Sequence, residues 1–241
     1  MREAPRPVRG VIVRRIRDAA ADRLVPTSAP MHRSGPMADG VVYVVDDDAA
    51  VRDGLKWLVE SVDLQVASCA SAQDFLETYD RARAGCLVLD VRMRGMSGLD
   101  LQAELARRDI SIPTIVVTGH GDVPMAVRAM KLGAIDFVEK PFNDQELLER
   151  IQRAIEADHE ARRDGRERAE ACALLATLSP REREVLDLLV EGLANKEVAS
   201  RLDLSTRTVE GHRARLMEKL ACGSLAEMVR LSMRARQAPP A

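Results

Sequence analysis

Aromatic side chains are scarce, with one Trp, two Tyr and three Phe in 241 residues. That scarcity excludes a surface that holds nucleic acid by stacking bases on rings. Cysteine is sparse too. Cys69, Cys86, Cys172 and Cys222 form no C-x-x-C pair and stand at no His/Cys ligand spacing. Three of them sit inside apolar or helical patterns, where a free thiol behaves as a small hydrophobe, which points to a reducing compartment and away from structural zinc. No uninterrupted apolar run approaches the ~20 residues needed to span a bilayer. Near the amino terminus Arg14, Arg15 and Arg17 break up the only apolar stretch, so a secretory signal is not supported. The expected location is the cytoplasm, with no membrane partner. A net charge of -2 does not by itself attract a polyanion, so any such site must be a local patch.

The 46% hydrophobic and 31% charged residues are those of a folded, globular chain, long enough for two ordinary domains. Residues 1–39 are rich in Arg, Pro and Ala, with eight arginines against four acids. Prolines at 5, 7, 26, 30 and 36 interrupt any long element, and a disordered basic extension is expected. Met37 would serve as a start just ahead of the first strand, so residues 1–36 are expected to reflect a misplaced start codon. The intact mass of natively expressed protein tests this.

From residue 41 onward, short apolar runs alternate with amphipathic segments. Strands are predicted at 41–45, 64–68, 86–89, 114–117 and 135–139. Between them run helices, the first marked by Val51, Leu55, Leu58 and Val62 at spacings of four, three and four. Asp144 opens the fifth helix. Five β-then-α units predict a doubly wound parallel sheet. The charged run at 159–170 either prolongs the fifth helix or forms a solvated linker. A second, all-α unit begins at Ser179-Pro180-Arg181-Glu182, with Ser at the N-cap, Pro at N1 and Glu at N3. Asn195 is predicted to cap a short second helix and Ser205 a longer third, the spacing of a helix-turn-helix.

Polar residues end the predicted strands: Asp46-Asp47-Asp48, then Asp90, Thr118 and Lys140. A parallel sheet gathers them on one edge, where ligands of such sheets sit. Each has a plainer explanation taken singly, since Asp90 could cap a turn and Lys140 could be a solvated surface lysine. Several carboxylates together repel unless a cation joins them, and a hard divalent ion such as Mg²⁺ suits oxygen ligands. Thr118 adds a hydroxyl and Lys140 a fixed charge, a set that suits a phosphoryl group.

Residues 40–158 resemble the receiver domain of bacterial two-component response regulators. The likeness rests on Asp46-Asp47, on D-V-R-M-R-G-M-S-G-L from Asp90, on T-G-H-G-D at 118–122 and on F-V-E-K-P-F at 137–142. Residues 178–235 resemble a LuxR-type helix-turn-helix through L-S-P-R-E-R-E-V-L, N-K-E-V-A and S-T-R-T-V-E-G-H-R-A-R-L-M-E-K-L. The pairing is similar to the FixJ-like branch, with residues 159–177 as a charged helical linker and 236–241 as a tail. The resemblance implies that Asp90 accepts phosphate from a sensor histidine kinase. It also implies that Asp47, Asp90 and the backbone carbonyl of Arg92 hold Mg²⁺, with Asp46 assisting through water. Lys140 would bind a phosphate oxygen, Thr118 would move to another, Phe137 would turn inward, and Lys140-Pro141 would be cis. Such a protein is a transcription factor rather than an enzyme, though its receiver assists its own phosphoryl transfer and dephosphorylation. Arg94 departs from the pattern, where the family usually has proline, and puts the rates of phosphorylation or dephosphorylation in question.

In the second unit, the resemblance implies that Glu210, Gly211 and Ala214 of a recognition helix occupy base-facing positions and that Thr208, Arg213 and Arg215 contact the DNA backbone, with Arg207 and Lys196 also expected at the DNA. The plainer alternative is a solvated charged face. Gly211 and Ala214 carry no donors, so direct readout is expected to be sparse. His212 reads as a packed or capping residue. Partners expected are the kinase, double-stranded DNA, a second copy on phosphorylation, and RNA polymerase. Two rival readings are a Mg²⁺-dependent phosphohydrolase and a signalling adaptor whose helices bind protein. The first needs a general acid beside the nucleophile, and two residues after Asp90 stands Arg92.

Overall fold

The computed structural model describes residues 40–119 and 122–236. The basic extension with Met37, His120-Gly121 of the 118–122 motif, and residues 237–241 lie outside the described residues. Strands β1 (Val41–Val45), β2 (Gln65–Cys69), β3 (Gly85–Asp90), β4 (Thr114–Thr118) and β5 (Ala134–Glu139) form one parallel sheet in the order β2-β1-β3-β4-β5. Every residue of β1, β3 and β4 is buried, as continuous apolar runs covered on both faces require.

Side chains alternate between the faces with the period of two that a strand imposes. Val42, Val44, Cys86 and Val88 join a core with α1 (Ala49–Glu60) and the start of α5 (Asp144–Ala176). Val41, Tyr43, Val45, Leu87 and Leu89 point the other way, onto α2 (Ala72–Thr78) and α3 (Gly98–Arg107). Phe75 of α2 and Leu101 of α3 are wholly buried there, each worth about 1.5–3 kcal/mol of transfer free energy. A third apolar cluster, with Val116, Ala129 and Ala134, seats α4 (Val123–Lys131). The caps are local: Asp48, Ser71, Ser97 and Asp122 each accept a hydrogen bond from a first-turn backbone N–H.

The charged run after residue 158 prolongs the fifth helix. α5 is continuous for 33 residues, because Glu, Arg and Ala tolerate the roughly 1 kcal/mol that Gly165 costs in a helix. The chain divides into two compact units between Gly165 and Arg166, inside this helix. Leu147, Leu148, Ile151 and Ile155 belong to the sheet's core, whereas Leu174 and Leu175 belong to the core of the second unit.

The second unit packs α6 (Pro180–Val190), α7 (Asn195–Leu202), α8 (Thr206–Lys219) and α9 (Leu225–Arg236) around Val185, Leu186, Leu189, Val198, Val209, Leu216 and Met228. Ser179 and Glu182 make the expected reciprocal capping box. Asn195 does not cap α7. Ala194 holds that position, its N–H donates to the Glu197 carboxylate (2.7 Å), and Asn195 Oδ1 instead accepts from Arg213 (3.5 Å). Three residues join α7 to α8, beginning with Asp203 in the left-handed region (φ 53°), which gives the sharp turn of a helix-turn-helix. Among the described residues no helix is long and apolar enough to cross a membrane.

Candidate functional site

Asp46 follows the last residue of β1, and Asp90 is the last residue of β3. The two strands are hydrogen-bonded neighbours, so their carboxylates meet at the same sheet edge. Both are buried, at 4% and 8% exposure. Lys140, just past β5, bridges them: Nζ donates to Asp46 Oδ2 at 2.7 Å and to Asp90 Oδ1 at 3.1 Å. The lysine is held in place because its own N–H donates to Thr118 O (2.8 Å), and the Lys140-Pro141 bond is cis. The other oxygen of each acid accepts from backbone, Asp46 Oδ1 from the Asp48 N–H (2.9 Å) and Asp90 Oδ2 from the Arg92 N–H (2.6 Å).

Burial alone pushes the Lys140 ammonium towards deprotonation, but the hydrogen bonds it donates to Asp46 and Asp90 outweigh that. Its pKa ends above the ordinary lysine value. The site therefore contains a permanent cation serving two acids. Asp47, half-exposed, is turned instead to the loop after β3, where the Arg94 N–H donates to its Oδ2 (3.3 Å) and Arg94 Nε stands 3.6 Å from the same oxygen.

The β3–α3 loop lies close over Asp90. Gly98 N–H donates to Val91 O (3.0 Å), and a Cβ on Gly98 would fall 2.2 Å from Asp90 O, so only glycine fits there. Thr118 is buried at the end of β4, and Phe137 on β5 is half-buried against the cluster that seats α4. The strand ends thus bring together Asp46, Asp90, Thr118 and Lys140. Arg92 is exposed and contributes its N–H to Asp90.

Among the described residues no three His, Cys, Asp or Glu side chains gather closely enough to hold a metal ion. The donor chemistry nevertheless fits a hard divalent cation. Two buried carboxylates share a single ammonium, Asp47 adjoins Asp46 in the chain, and the side-chain ligands on offer are all oxygen.

Sequence reasoning did not find Arg52, whose Nη1 donates to Asp46 O (2.7 Å) and fixes the β1–α1 turn from one turn into the helix. Its position on the polar side of an amphipathic stripe carried no sign of that role.

In the second unit α8 carries Arg207, Thr208, Glu210, Ala214 and Arg215 exposed, with Gly211 and Arg213 half-buried; Lys196 is exposed on α7. Arg213 reaches Asn195 and so links the two helices of the motif. Lys219 of α8 is not a free surface charge, since Nζ donates to Glu182 (2.6 Å) on α6. His212 is half-buried, its Nδ1 without a hydrogen-bond partner.

Comparison with known proteins matches residues 42–152 to the response regulator receiver domain and residues 176–232 to the bacterial regulatory proteins of the luxR family. The chain is 48% identical over 192 residues to nodulation protein W of Bradyrhizobium diazoefficiens, covering 80% of this chain and 85% of that protein. It is 45% identical over 196 residues to the transcriptional regulatory protein FixJ of the same organism, covering 81% and 96%. Among solved structures, the response regulator StyR is similar with a TM-score of 0.73 at 42% identity, over 81% of this chain and 99% of that one. Full-length FixJ from B. japonicum gives 0.51 at 45% identity, over 81% and 97%.

Proposed function

Because the chain belongs to the FixJ-like response regulators, which join a receiver domain to a LuxR-type DNA-binding domain, we propose that Asp90 is its phosphoacceptor, served by Asp46, Asp47, Thr118 and Lys140. Proteins of this family regulate transcription in two-component signalling and are not enzymes in the ordinary sense. A sensor kinase and DNA are accordingly the partners of the two units. The observation that carries the assignment of Asp90 is the Lys140 bridge, which places a fixed ammonium on the acceptor carboxylate at the sheet edge.

In the transfer, an Asp90 carboxylate oxygen attacks the phosphorus of a phosphohistidine. A P–O bond forms as the P–N bond breaks, and its electron pair returns to the imidazole. Lys140 donates to an oxygen of the incoming group, and positioning with charge neutralisation supplies most of the acceleration. Asp47, Asp90, the Arg92 carbonyl and (through water) Asp46 would hold Mg²⁺, which would supply further charge neutralisation at the phosphoryl oxygens. Attack of water on the phosphorus, in the same neutralising setting, breaks the P–O bond to Asp90, releases inorganic phosphate and returns the carboxylate to its free form. Thr118 hydrogen-bonds a second phosphoryl oxygen, and Phe137 turns into the space the threonine leaves; these two form the bistable element of the switch.

The signal passes to a face between α4 and α5, over which two receivers dimerise. Val123, Val127 and Met130 of α4 and Ile135 of β5 are large apolar residues left exposed there. Two DNA-binding units then grip a dyad-related site through α8, with Arg207, Thr208, Arg213, Arg215 and Lys196 on phosphates and Glu210, Gly211 and Ala214 facing bases. RNA polymerase is the further partner of the DNA-bound dimer, in the cytoplasm.

Footprinting of the full chain with and without acetyl phosphate tests this reading, with protection expected only, or far more strongly, in its presence. Protection identical in both conditions defeats phosphorylation control, and none in either favours an adaptor. Arg213→Ala should weaken binding across sequences and reduce the salt slope by about one; an unchanged slope removes Arg213 from the phosphate contacts.

A further inference from the structure

Arg94 gives Asp47 two contacts on a single oxygen, a backbone N–H at 3.3 Å and a guanidinium Nε at 3.6 Å. A proline at this position could make neither, having no N–H and no charge. The backbone at 94 belongs to a closed loop. Gly98 N–H holds Val91 O, Gly98 is packed onto Asp90 O, and Gly95 takes the left-handed turn between them (φ 78°). Position 94 is thus fixed opposite Asp47, while its side chain is 97% exposed and free of any other partner among the contacts of the described residues. Asp46 and Asp90 are served by Lys140; Asp47 is the acid of the three that Lys140 does not bridge.

We propose that Arg94 is a built-in competitor for the divalent cation at Asp47, a residue that sets how much Mg²⁺ the receiver requires before it can be phosphorylated. The proposal rests on the reading of Asp46, Asp47 and Asp90 as the residues that hold Mg²⁺. A cation arriving at Asp47 must displace the guanidinium and approach against its charge. The arginine contact is exposed, so the competition is modest and screened by salt. The consequence is a receiver whose metal requirement falls as ionic strength rises, relative to one without the arginine.

Titration calorimetry of the full chain with MgCl₂ tests this. Arg94→Gln removes the charge and keeps the N–H. It should tighten Mg²⁺ binding about two- to fivefold near 25 mM ionic strength, the range an exposed ion pair supports. The gain should shrink towards one at about 0.5 M, where the Debye length is only a few ångströms. Arg94→Pro, which also removes the N–H, should gain at least as much, and Arg94→Lys should gain less than Arg94→Gln. Asp47→Asn is measured alongside. If it loses Mg²⁺ while Arg94→Gln binds no more tightly than the parent, the role of Arg94 is overturned and the metal assignment stands. If Asp47→Asn binds Mg²⁺ as the parent does, the metal assignment fails and the role of Arg94 fails with it.

Discussion

The receiver contains two buried carboxylate–cation sites at opposite ends of β3, and they are built on different charge balances. At the amino end, Asp158 of α5 is 4% exposed and accepts from Gly85 N–H (2.9 Å) and Arg162 Nε (2.6 Å). Arg162 then donates to Arg81 O (2.6 Å) and to the Tyr79 hydroxyl (3.4 Å), and Tyr79 stacks on Phe75 beside Tyr43. Burial pushes the guanidinium down, but the bond to Asp158 outweighs that and its pKa lies above the ordinary value. One acid meets one base, with the other donors satisfied by neutral groups. At the carboxyl end two buried acids meet one ammonium, and a third acid leans on an arginine in solvent. A balanced pair locks α5 to the sheet; an unbalanced one keeps a standing demand for positive charge. The imbalance is what distinguishes a binding site from a strut, since an uncompensated buried charge is costly and invites a ligand.

Exchanging single residues between these roles should separate them. Asp90→Asn should abolish labelling by acetyl phosphate altogether, while leaving stability within about 1 kcal/mol of the parent or above it, because it relieves repulsion between two acids sharing one lysine. Retained Mg²⁺-dependent labelling would remove Asp90 from its assigned role. Asp158→Ala should do the reverse. It leaves the half-buried Arg162 guanidinium and the buried Gly85 N–H without their acceptor and should cost about 2 kcal/mol in urea unfolding followed at Trp57, the single tryptophan, which lies in the receiver. Labelling of the folded fraction should persist. If Asp158→Ala unfolds at the parent's urea midpoint, the pair is no strut and the comparison collapses.

Lys140→Met sharpens the contrast from the other side. It leaves Asp46 and Asp90 buried without their shared cation, an expected loss of about 2 kcal/mol. Here, unlike at Asp158, a second cation can substitute. Mg²⁺ at ten times its Kd should restore about 1.4 kcal/mol of receiver stability. Arg162→Met, whose acids keep Lys140, should gain no more than the parent does at the same Mg²⁺ concentration, and less than Lys140→Met. Equal Mg²⁺ responses in the two variants would mean that the charge imbalance does not select for a cation.

The two sites also differed in how far the sequence revealed them. Asp46, Asp90, Thr118 and Lys140 were legible because each ends an apolar run, and a parallel sheet carries such ends to one edge whatever their separation in the chain. Asp158 gave no comparable signal. It sits in a run of charges on a helix, a pattern that reads as solvated, and its burial depends on Gly85, 73 residues away. Glycine is needed there because a Cβ would lie 2.1 Å from Val41 O, a close approach that only the paired strands reveal. Helix starts were read correctly at Ser179 and Ser205, where a hydroxyl bonds its own helix. The prediction at Asn195 failed because Glu197 supplies the cap from within the helix and Arg213 draws the asparagine side chain away. Local chemistry is readable where the partners are local, and Arg94 with Asp47, 47 residues apart, shows the same limit.

The helical unit offers a smaller instance of the balanced arrangement. Glu182, 4% exposed, accepts from Lys219 Nζ (2.6 Å) and from the Ser179 N–H (2.9 Å), tying the start of α6 to the end of α8. The Lys219 hydrogen bond, followed by that from Ser179, lowers its pKa from 4.5 to about 2. A depressed carboxyl pKa makes the stabilisation fully present above about pH 4.5 and removes it as pH falls towards 2. Because Lys219 is 42% exposed, solvent screens the pair, and its contribution together with the cap should be on the order of 1 kcal/mol. Glu182→Gln should therefore melt below the parent at pH 7 by a few degrees in far-UV circular dichroism, and the gap should close between pH 4.5 and pH 2. The difference between the two proteins cancels the titration of groups they share. A gap that stays constant through this range would show that Glu182 acts by shape and capping geometry alone, and that charge balance in this unit carries no weight.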